Sequence, residues 1–212
     1  MYKLIVFDLD GTLLDTLGDL TNAVNVSLQK YGYPLRMQEE VRSYIGNGIV
    51  KLLEKASGET GEKFKRLVEC FRSYYREHCK EETKPYEGIL PLIRALTEQG
   101  KILAVVSNKP DYAVKLLVEE YFSGMMQAVV GENEPLVRKK PAPDSLFAVM
   151  QEMGVTAEET LYVGDTDVDI QTAKNAGVDC VSVCWGFRDE TFLKENGATK
   201  LIDSPLQLLE LL

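Results

Sequence analysis

The 212-residue chain has only one histidine, one tryptophan and four cysteines. It has no CxxC pair, so we expect no zinc site, and no apolar run approaching the roughly 18 residues of a membrane-spanning helix. Because a strand-like apolar segment, 3–7, begins almost at once, we expect no signal peptide. The four cysteines are therefore predicted to be free thiols in a reducing cytoplasm.

Positive charge is also scarce: the chain has 24 lysine and arginine residues but 33 aspartate and glutamate residues, so its net charge is −9. Proteins that bind nucleic acids usually carry a basic patch, whereas the basic residues here are spread along the chain. We therefore expect no nucleic-acid partner and no membrane partner. A small anionic ligand would need a metal ion or a local positive pocket.

Short apolar runs alternate with helical patterns along most of the chain. The runs are rich in β-branched residues and bounded by Gly, Asp or Asn, and near-continuous apolar strands of this kind are typical of parallel sheets. They lie at 3–7, 102–106, 127–130, 161–163, 180–184 and 200–202, with helical patterns at 90–99, 113–121, 145–153 and 167–176. This alternation predicts an α/β fold, a Rossmann-like open parallel sheet with helices on both faces.

The stretch 16–83 interrupts this alternation, because it contains no strand pattern. Four helices are predicted there, at 16–30, 38–45, 47–56 and 62–80, and Thr16 with Asp19 resembles a capping box at the first of them. So long a crossover favours a separate module over a plain link between strands. We therefore predict a core formed by 1–15 and 84–212 and an inserted helical cap, 16–83.

Polar side chains follow the predicted strands. The first strand leads into Asp8-Leu9-Asp10-Gly11-Thr12, the second into Ser107-Asn108-Lys109, and the fourth into Gly164-Asp165 with Asp169 four residues later; Lys140 lies between the third and fourth strands. In open α/β sheets, ligands bind at the carboxyl ends of the strands, where the strand order reverses. These residues therefore form the candidate site.

The candidate site contains four carboxylates. Asp8 and Asp10 are two residues apart and would face the same side of an extended segment, while Asp165 and Asp169 would share one face of the following helix. Their formal charge is −4, and one Mg²⁺ together with Lys140 would reduce it to −1. Carboxylates, water and phosphate oxygens are the ligands that Mg²⁺ prefers, so we expect a magnesium site.

A single Asp after a strand is commonly a cap or a turn residue, but the whole set in this order is poorly explained by chance. The set resembles the motifs of the haloacid dehalogenase-like hydrolase superfamily, and the similarity spans nearly the whole chain. Ile45–Gly48, Pro85–Gly88 and Trp185–Phe187 further resemble enzymes of the phosphoglycolate phosphatase type.

The resemblance implies a Mg²⁺-dependent phosphatase acting on a small phosphorylated metabolite. Asp8 would be the nucleophile that forms an aspartyl-phosphate, and Asp10 would act first as the acid and then as the base. The side chains of Asp8 and Asp165 and the backbone carbonyl of Asp10 would bind the metal. Asp169 would orient a metal-bound water or Lys140. Thr12, Ser107, Asn108 and Lys140 would bind the phosphoryl group.

In this architecture the cap is expected to recognise the leaving group. The candidates are Arg42, Gly46, Asn47, Gly48 and Lys51. Gly46-Asn47-Gly48 is predicted to open a helix, and a helix N-terminus can bind an anion such as the carboxylate of 2-phosphoglycolate. An ordinary interhelical turn and solvated helix charges would explain the same residues.

Asp10 favours phosphate esters, because dehalogenases typically lack this residue and phosphonatases replace it with a small one. Mutase relatives carry a cap-side histidine shortly after the first motif, whereas the single histidine here is His78. An inorganic pyrophosphatase and a broad-specificity sugar or nucleotide phosphatase remain alternatives on the same scaffold. A receiver-like signalling module is a remote alternative, as is a non-catalytic relative. The protein would be a monomer or a homodimer.

Overall fold

The computed structural model describes residues 1–133 and 137–212 of the chain. Within them the strands are, in chain order, β1 Leu4–Phe7, β2 Leu14–Asp15, β3 Lys84–Pro85, β4 Ile102–Pro110, β5 Ala128–Glu132, β6 Thr160–Gly164, β7 Asp179–Val183 and β8 Leu201–Ile202. Six of these strands form a parallel sheet in the order β5-β4-β1-β6-β7-β8. The predicted α/β fold with an open parallel sheet is therefore confirmed.

The helices are α1 Leu17–Lys30, α2 Gln38–Tyr44, α3 Gly48–Ser57, α4 Gly61–His78, α5 Ile89–Glu98, α6 Asp111–Phe122, α7 Asp144–Met153, α8 Asp167–Ala176 and α9 Glu190–Glu195. Short 3₁₀ helices span Ala157–Glu159 and Pro205–Leu211. The short strands β2 and β3 and the helix α9 are too brief to be predicted from periodicity.

The chain divides into two compact units, one formed by Met1–Leu14 with Pro85–Leu212 and the other by Asp15–Lys84. We call them the core unit and the inserted unit. Each contains its own buried apolar residues. That the inserted unit works as a cap stays a prediction.

The sheet of the core unit is buried on both faces. Leu4 and Val6 of β1 belong to an apolar cluster that includes Leu146 and Val149 of α7. Ile5, which alternates with them, is fully buried as well, and α5 and α6 pack against the neighbouring strands. Because successive side chains of a strand point to opposite faces, both faces must be covered.

In the inserted unit, α1 packs against α2, α3 and α4. Its buried face includes Val24 and Leu28, while α4 contributes Phe71 and Tyr75, whose rings stack with their centroids 5.3 Å apart. The helical spacing of these apolar residues therefore explains why α1 and α4 form helices with one buried face.

The predicted capping box at the start of α1 is wrong. Thr16 makes no side-chain cap bond, and the carboxylate of Asp19 instead accepts hydrogen bonds from the backbone N–H groups of Glu82 and Thr83, both at 2.9 Å. The hydroxyl of Thr83 donates to it as well, at 2.7 Å. Asp19 therefore ties the end of the inserted unit to its first helix.

The strand β4 is longer than predicted, because it continues through Ser107, Asn108 and Lys109 to Pro110. Its pairing with β5 changes register between Val106 and Pro110. The polar residues expected after the strand thus lie on its irregular end.

No helix in the described part of the chain is long and apolar enough to span a membrane. The four cysteines are free thiols, as predicted.

Candidate active site

The candidate site lies where the strand order reverses. The chain leaves β1, forms β4 and β5 on one side of it, and then returns to form β6 on the other side. The carboxyl ends of β4, β1 and β6 are therefore adjacent, and each is followed by or contains polar residues. This is the position at which open α/β sheets bind ligands.

Asp8 directly follows β1 and is almost completely buried. Its Oδ1 accepts a hydrogen bond from the backbone N–H of Leu9 at 2.7 Å and lies 3.0 Å from Nζ of Lys140. Burial raises the pKa of Asp8 to about 7, with Lys140 opposing the shift and Asp169 and Asp10 adding to it. A buried carboxylate is thus placed against a single ammonium group.

Lys140 joins two of the acidic residues. Besides Asp8, its Nζ contacts Oδ1 of Asp169 at 2.7 Å and the hydroxyl of Tyr162 at 2.9 Å. Burial alone would lower the pKa of Lys140, but the charges of Asp169 and Asp8 outweigh it and raise the pKa well above its usual value. The lysine therefore carries a fixed positive charge, and its three N–H groups are directed at three partners.

Asp169 is held by the start of α8. Its Oδ2 accepts hydrogen bonds from the backbone N–H and the hydroxyl of Thr166, at 3.0 and 2.7 Å, and from the N–H of Asp165 at 3.2 Å. It is the acidic member of a capping box with Thr166. Its place beside Lys140 fits the predicted orienting role, which stays a prediction.

The predicted helix face shared by Asp165 and Asp169 is wrong, because Asp165 precedes α8 and is not helical. The two residues come together because Asp169 caps the start of α8 and its Oδ2 accepts a hydrogen bond from the backbone N–H of Asp165. Asp165 is fully buried, and its carboxylate accepts from the hydroxyl of Thr12 at 3.0 Å and from the N–H of Phe187 at 2.8 Å. Burial, and then the charges of Asp169 and Asp8, raise the pKa of Asp165 well above its usual range.

Asp10 pairs with Lys109, a lysine for which the sequence pattern predicts no role. Nζ of Lys109 lies 2.7 Å from Oδ1 of Asp10, and the lysine side chain is almost completely buried. Lys109 stood beside the predicted Ser107-Asn108 pair, but only the course of the irregular end of β4 directs it toward Asp10. Tyr162 was likewise predicted only as a strand residue.

The residues of the site fit a divalent cation. Asp8, Asp165 and Asp169 each offer a carboxylate oxygen, and these oxygens lie within 4.8 Å of one another. With Asp10 included, four carboxylates face the two ammonium groups of Lys109 and Lys140. The formal charge is then −2, which one divalent cation would balance, and carboxylate oxygens are hard ligands.

The remaining predicted phosphate ligands lie at the same strand ends. Ser107 and Asn108 are buried on β4, and Nδ2 of Asn108 donates to the backbone carbonyl of Lys140 at 2.9 Å. Thr12 is fully buried, with its hydroxyl on Asp165 rather than free for a ligand. Their binding of phosphate stays a prediction.

The predicted leaving-group residues lie in the inserted unit. As predicted, a helix, α3, begins at Gly48, and the turn before it needs glycine because Gly46 and Gly48 have φ values of 121° and 79°. Asn47 precedes α3 without a side-chain cap bond. Arg42 lies 3.8 Å from Glu39, and Lys51 lies 2.7 Å from Glu54.

Comparisons with known proteins agree with this geometry. The model of the family described as haloacid dehalogenase-like hydrolase matches residues 5–183. Phosphoglycolate phosphatase from Aquifex aeolicus (strain VF5) is 36% identical over 211 residues, which cover 95% of this chain and 97% of that protein. Phosphoglycolate phosphatase from Pseudomonas savastanoi pv. phaseolicola (strain 1448A / Race 6) is 35% identical over 215 residues, which cover 98% of this chain and 78% of that protein.

Solved structures show the same fold. The crystal structure of a protein assigned as a phosphoglycolate phosphatase, from Lactobacillus delbrueckii subsp. bulgaricus, matches with a TM-score of 0.92 and 37% identity, covering 99% of this chain and 98% of that chain. The family match covers well over half of the chain, and the sequence relatives are phosphatases. The chain therefore belongs to the haloacid dehalogenase-like hydrolase family and is a phosphatase of that family.

Proposed function

We propose that this phosphatase hydrolyses 2-phosphoglycolate, using Mg²⁺ and an aspartyl-phosphate formed on Asp8. The observation that carries the proposal is the contact of Lys140 with both Asp8 and Asp169 beside the buried carboxylate of Asp165. A nucleophile, a fixed cation and metal-ligating oxygens are thus within reach of one phosphoryl group. The relatives named phosphoglycolate phosphatase support the choice of substrate.

In the first step, a carboxylate oxygen of Asp8 forms a bond to phosphorus and the bond from phosphorus to the ester oxygen breaks. Asp10 gives a proton to that oxygen, so the alcohol leaves neutral. Lys109, 2.7 Å from Asp10, holds the orientation of its carboxyl group. Lys140 donates to one phosphoryl oxygen with the N–H that Asp169 and Tyr162 do not use, and its charge compensates the negative charge of the transferring group.

In the second step, the carboxylate of Asp10 accepts a proton from water, whose oxygen attacks the phosphorus of the aspartyl-phosphate. The bond between phosphorus and Asp8 breaks, and orthophosphate and the Asp8 carboxylate are released. Tyr162 and Asp169 keep Lys140 in place throughout, because each binds its Nζ.

We propose that Asp8 and Asp165, with the backbone carbonyl of Asp10, hold the Mg²⁺. The bound ion would neutralise the carboxylate cluster and a phosphoryl oxygen. Asp169 is proposed to stay with Lys140 and the start of α8, since both of its oxygens already accept hydrogen bonds there.

We propose that the N-terminus of α3 binds the carboxylate of the substrate. The backbone N–H groups of a helix start attract anions, and Arg42 and Lys51 add positive charge on α2 and α3. In an Arg42→Met, Lys51→Met double variant we expect kcat/KM to fall about tenfold for 2-phosphoglycolate and to change little for p-nitrophenyl phosphate. Lys63→Met, which removes an exposed charge of α4, is the matched control. Equal losses on both substrates would refute this subsite.

The first experiment is a phosphate-release assay on 2-phosphoglycolate, pyrophosphate, sugar phosphates, nucleotides and p-nitrophenyl phosphate. We expect turnover that needs Mg²⁺, is lost in EDTA and in Asp8→Asn, and has the highest kcat/KM for 2-phosphoglycolate. A higher kcat/KM for pyrophosphate would instead establish a pyrophosphatase. Stoichiometric labelling of Asp8 without turnover of any ester would contradict an enzymatic role.

We further infer a cytoplasmic location from the four free thiols.

A further inference from the structure

The turn that follows β7, Trp185-Gly186-Phe187, has no role in the mechanism described above. It contains the single tryptophan of the protein. Nε1 of Trp185 donates to the backbone carbonyl of Thr12 at 3.0 Å, and the backbone N–H of Phe187 donates to Oδ2 of Asp165 at 2.8 Å. The 185–187 turn therefore contacts both the segment after β1 and the carboxylate after β6.

Thr12 makes hydrogen bonds both to this turn and to Asp165. Its hydroxyl donates to Oδ1 of Asp165 at 3.0 Å, while its carbonyl accepts from Trp185. Each oxygen of Asp165 thus accepts from a neutral donor, and both Thr12 and Asp165 are fully buried. Two donors on opposite oxygens fix the plane of the carboxylate, and neutral donors leave its negative charge uncompensated.

Gly186 is packed so closely that no side chain fits there. A Cβ atom at this position would lie 2.3 Å from Cβ and 2.5 Å from Oδ2 of Asp165, and 2.5 Å from the backbone oxygen of Gly11. These distances are shorter than van der Waals contact allows. Glycine is therefore required by the approach of the turn to Asp165.

We propose that the 185–187 turn is a positioning element for Asp165, which it holds ready for the metal and links to the segment that carries Asp8 and Asp10. The inference rests on the proposed function, since it takes Asp165 as a metal ligand. Asp8 and Asp169 share the charge of Lys140, whereas the donors to Asp165, the N–H of Phe187 in the turn and the hydroxyl of Thr12, are neutral. Groups that orient a metal ligand typically change metal affinity by about 10–100-fold.

The test is the affinity for Mg²⁺ alone, measured by calorimetry and by the emission of Trp185. We expect MgCl₂ to change the emission of the wild-type protein in a saturable way. Gly186→Ala and Thr12→Val should each raise the Kd for Mg²⁺ about tenfold or more. Thr12→Ser, which keeps the hydroxyl, should restore the affinity to within about threefold.

Gly100→Ala is the matched control, because it lies in the core unit with nothing within 4 Å of its Cβ position but has a positive φ of 72°. It is expected to lower stability without changing the Kd. Circular dichroism in EDTA checks that each variant is folded. Trp185→Phe, which removes the donor to the carbonyl of Thr12 and is measured by calorimetry, should also raise the Kd and keeps the test usable where Gly186→Ala does not fold.

The inference is overturned if the folded Gly186→Ala and Trp185→Phe proteins bind Mg²⁺ as the wild type does, or if Gly100→Ala loses as much affinity. A wild-type protein that binds no Mg²⁺ overturns it too. A wild-type protein that binds Mg²⁺ with the expected variant pattern, but releases no phosphate from any ester, supports the positioning role and refutes the proposed function instead.

Discussion

Asp8 is buried among carboxylates, which makes its negative charge costly. Its folded-state pKa is about 7, against an ordinary value of 3.8. A raised carboxyl pKa means that the folded state binds the proton more tightly than the unfolded state. The stabilising effect of that proton is complete below pH about 4 and is lost as the pH rises through about 7.

Asp8→Asn is therefore expected to be more stable than the wild type in EDTA at pH 8, by about 4 kcal/mol. The difference should vanish toward pH 4, since the wild-type carboxyl then carries its proton. Urea denaturation at pH 8 and pH 4 measures it, with the exposed Glu98→Gln of α5 as the control. A less stable Asp8→Asn at pH 8 would show that the contact with Lys140 outweighs burial.

Lys109 is expected to act through Asp10. In Lys109→Met, kcat/KM should fall about 100-fold for 2-phosphoglycolate, because a general acid contributes roughly that much or more when the leaving group is an alkoxide. It should fall far less for p-nitrophenyl phosphate, whose phenolate leaves without a proton. Lys109→Arg should recover part of the loss.

The control for this comparison is Lys115→Met, which removes a lysine that pairs with Asp111 on the exposed side of α6. Lys115→Met should leave kcat/KM unchanged for both 2-phosphoglycolate and p-nitrophenyl phosphate. A loss in Lys109→Met that is equal for the two esters would mean that Lys109 supports the fold or binds the phosphoryl group, and does not position the acid.

At the scale of elements, caps and turns rather than helix interiors hold the functional groups. Asp169, in the first turn of α8, contacts Lys140 from its place in the capping box with Thr166. In the inserted unit, Asp19 uses the first turn of α1 in the same way, but its partners are the N–H groups of Glu82 and Thr83. Side chains at helix starts thus hold loop residues whose positions the spacing of apolar residues does not predict.

Asp19→Ala is expected to lower the free energy of unfolding by about 2–3 kcal/mol, because two backbone N–H groups and the Thr83 hydroxyl lose a charged acceptor. Asp19→Asn keeps one acceptor oxygen and should lose less. Urea denaturation gives the values, and hydrogen exchange at residues 82 and 83 should accelerate. Glu62→Ala, in an exposed pair with Lys65, should stay within about 0.5 kcal/mol of the wild type.

At the scale of the whole molecule, the acidic chain with its net charge of −9 contains a buried cluster of unbalanced carboxylates. Removing the metal should therefore cost stability. At about 100 times the Kd, Mg²⁺ should stabilise the fold by about 2.7 kcal/mol, which raises Tm by about 5–10 °C for a chain of this length.

NaCl at matched ionic strength separates this effect from general screening of the net charge. Asp165→Asn, which removes a proposed ligand, should show a much smaller Tm increase with Mg²⁺. A similar increase in that variant would place the ion elsewhere on the protein.

Local patterns in the sequence determined the α/β class, the six core strands, the four inserted helices and the acidic positions after the strands. These follow from side-chain periodicity and from turn-forming residues, which act over a few positions. The extension of β4 and the partner of Asp19 could not be predicted this way, because both depend on residues far along the chain.

Only the tertiary structure decided which groups meet at the site. Lys109 reaches Asp10 across 99 positions, and Trp185 reaches Thr12 across 173. The strand order puts β4 and β6 on either side of β1, and no short-range pattern encodes which strands become neighbours. Burial then selects the pairs, since each carboxylate that the fold removes from water needs a hydrogen-bond donor.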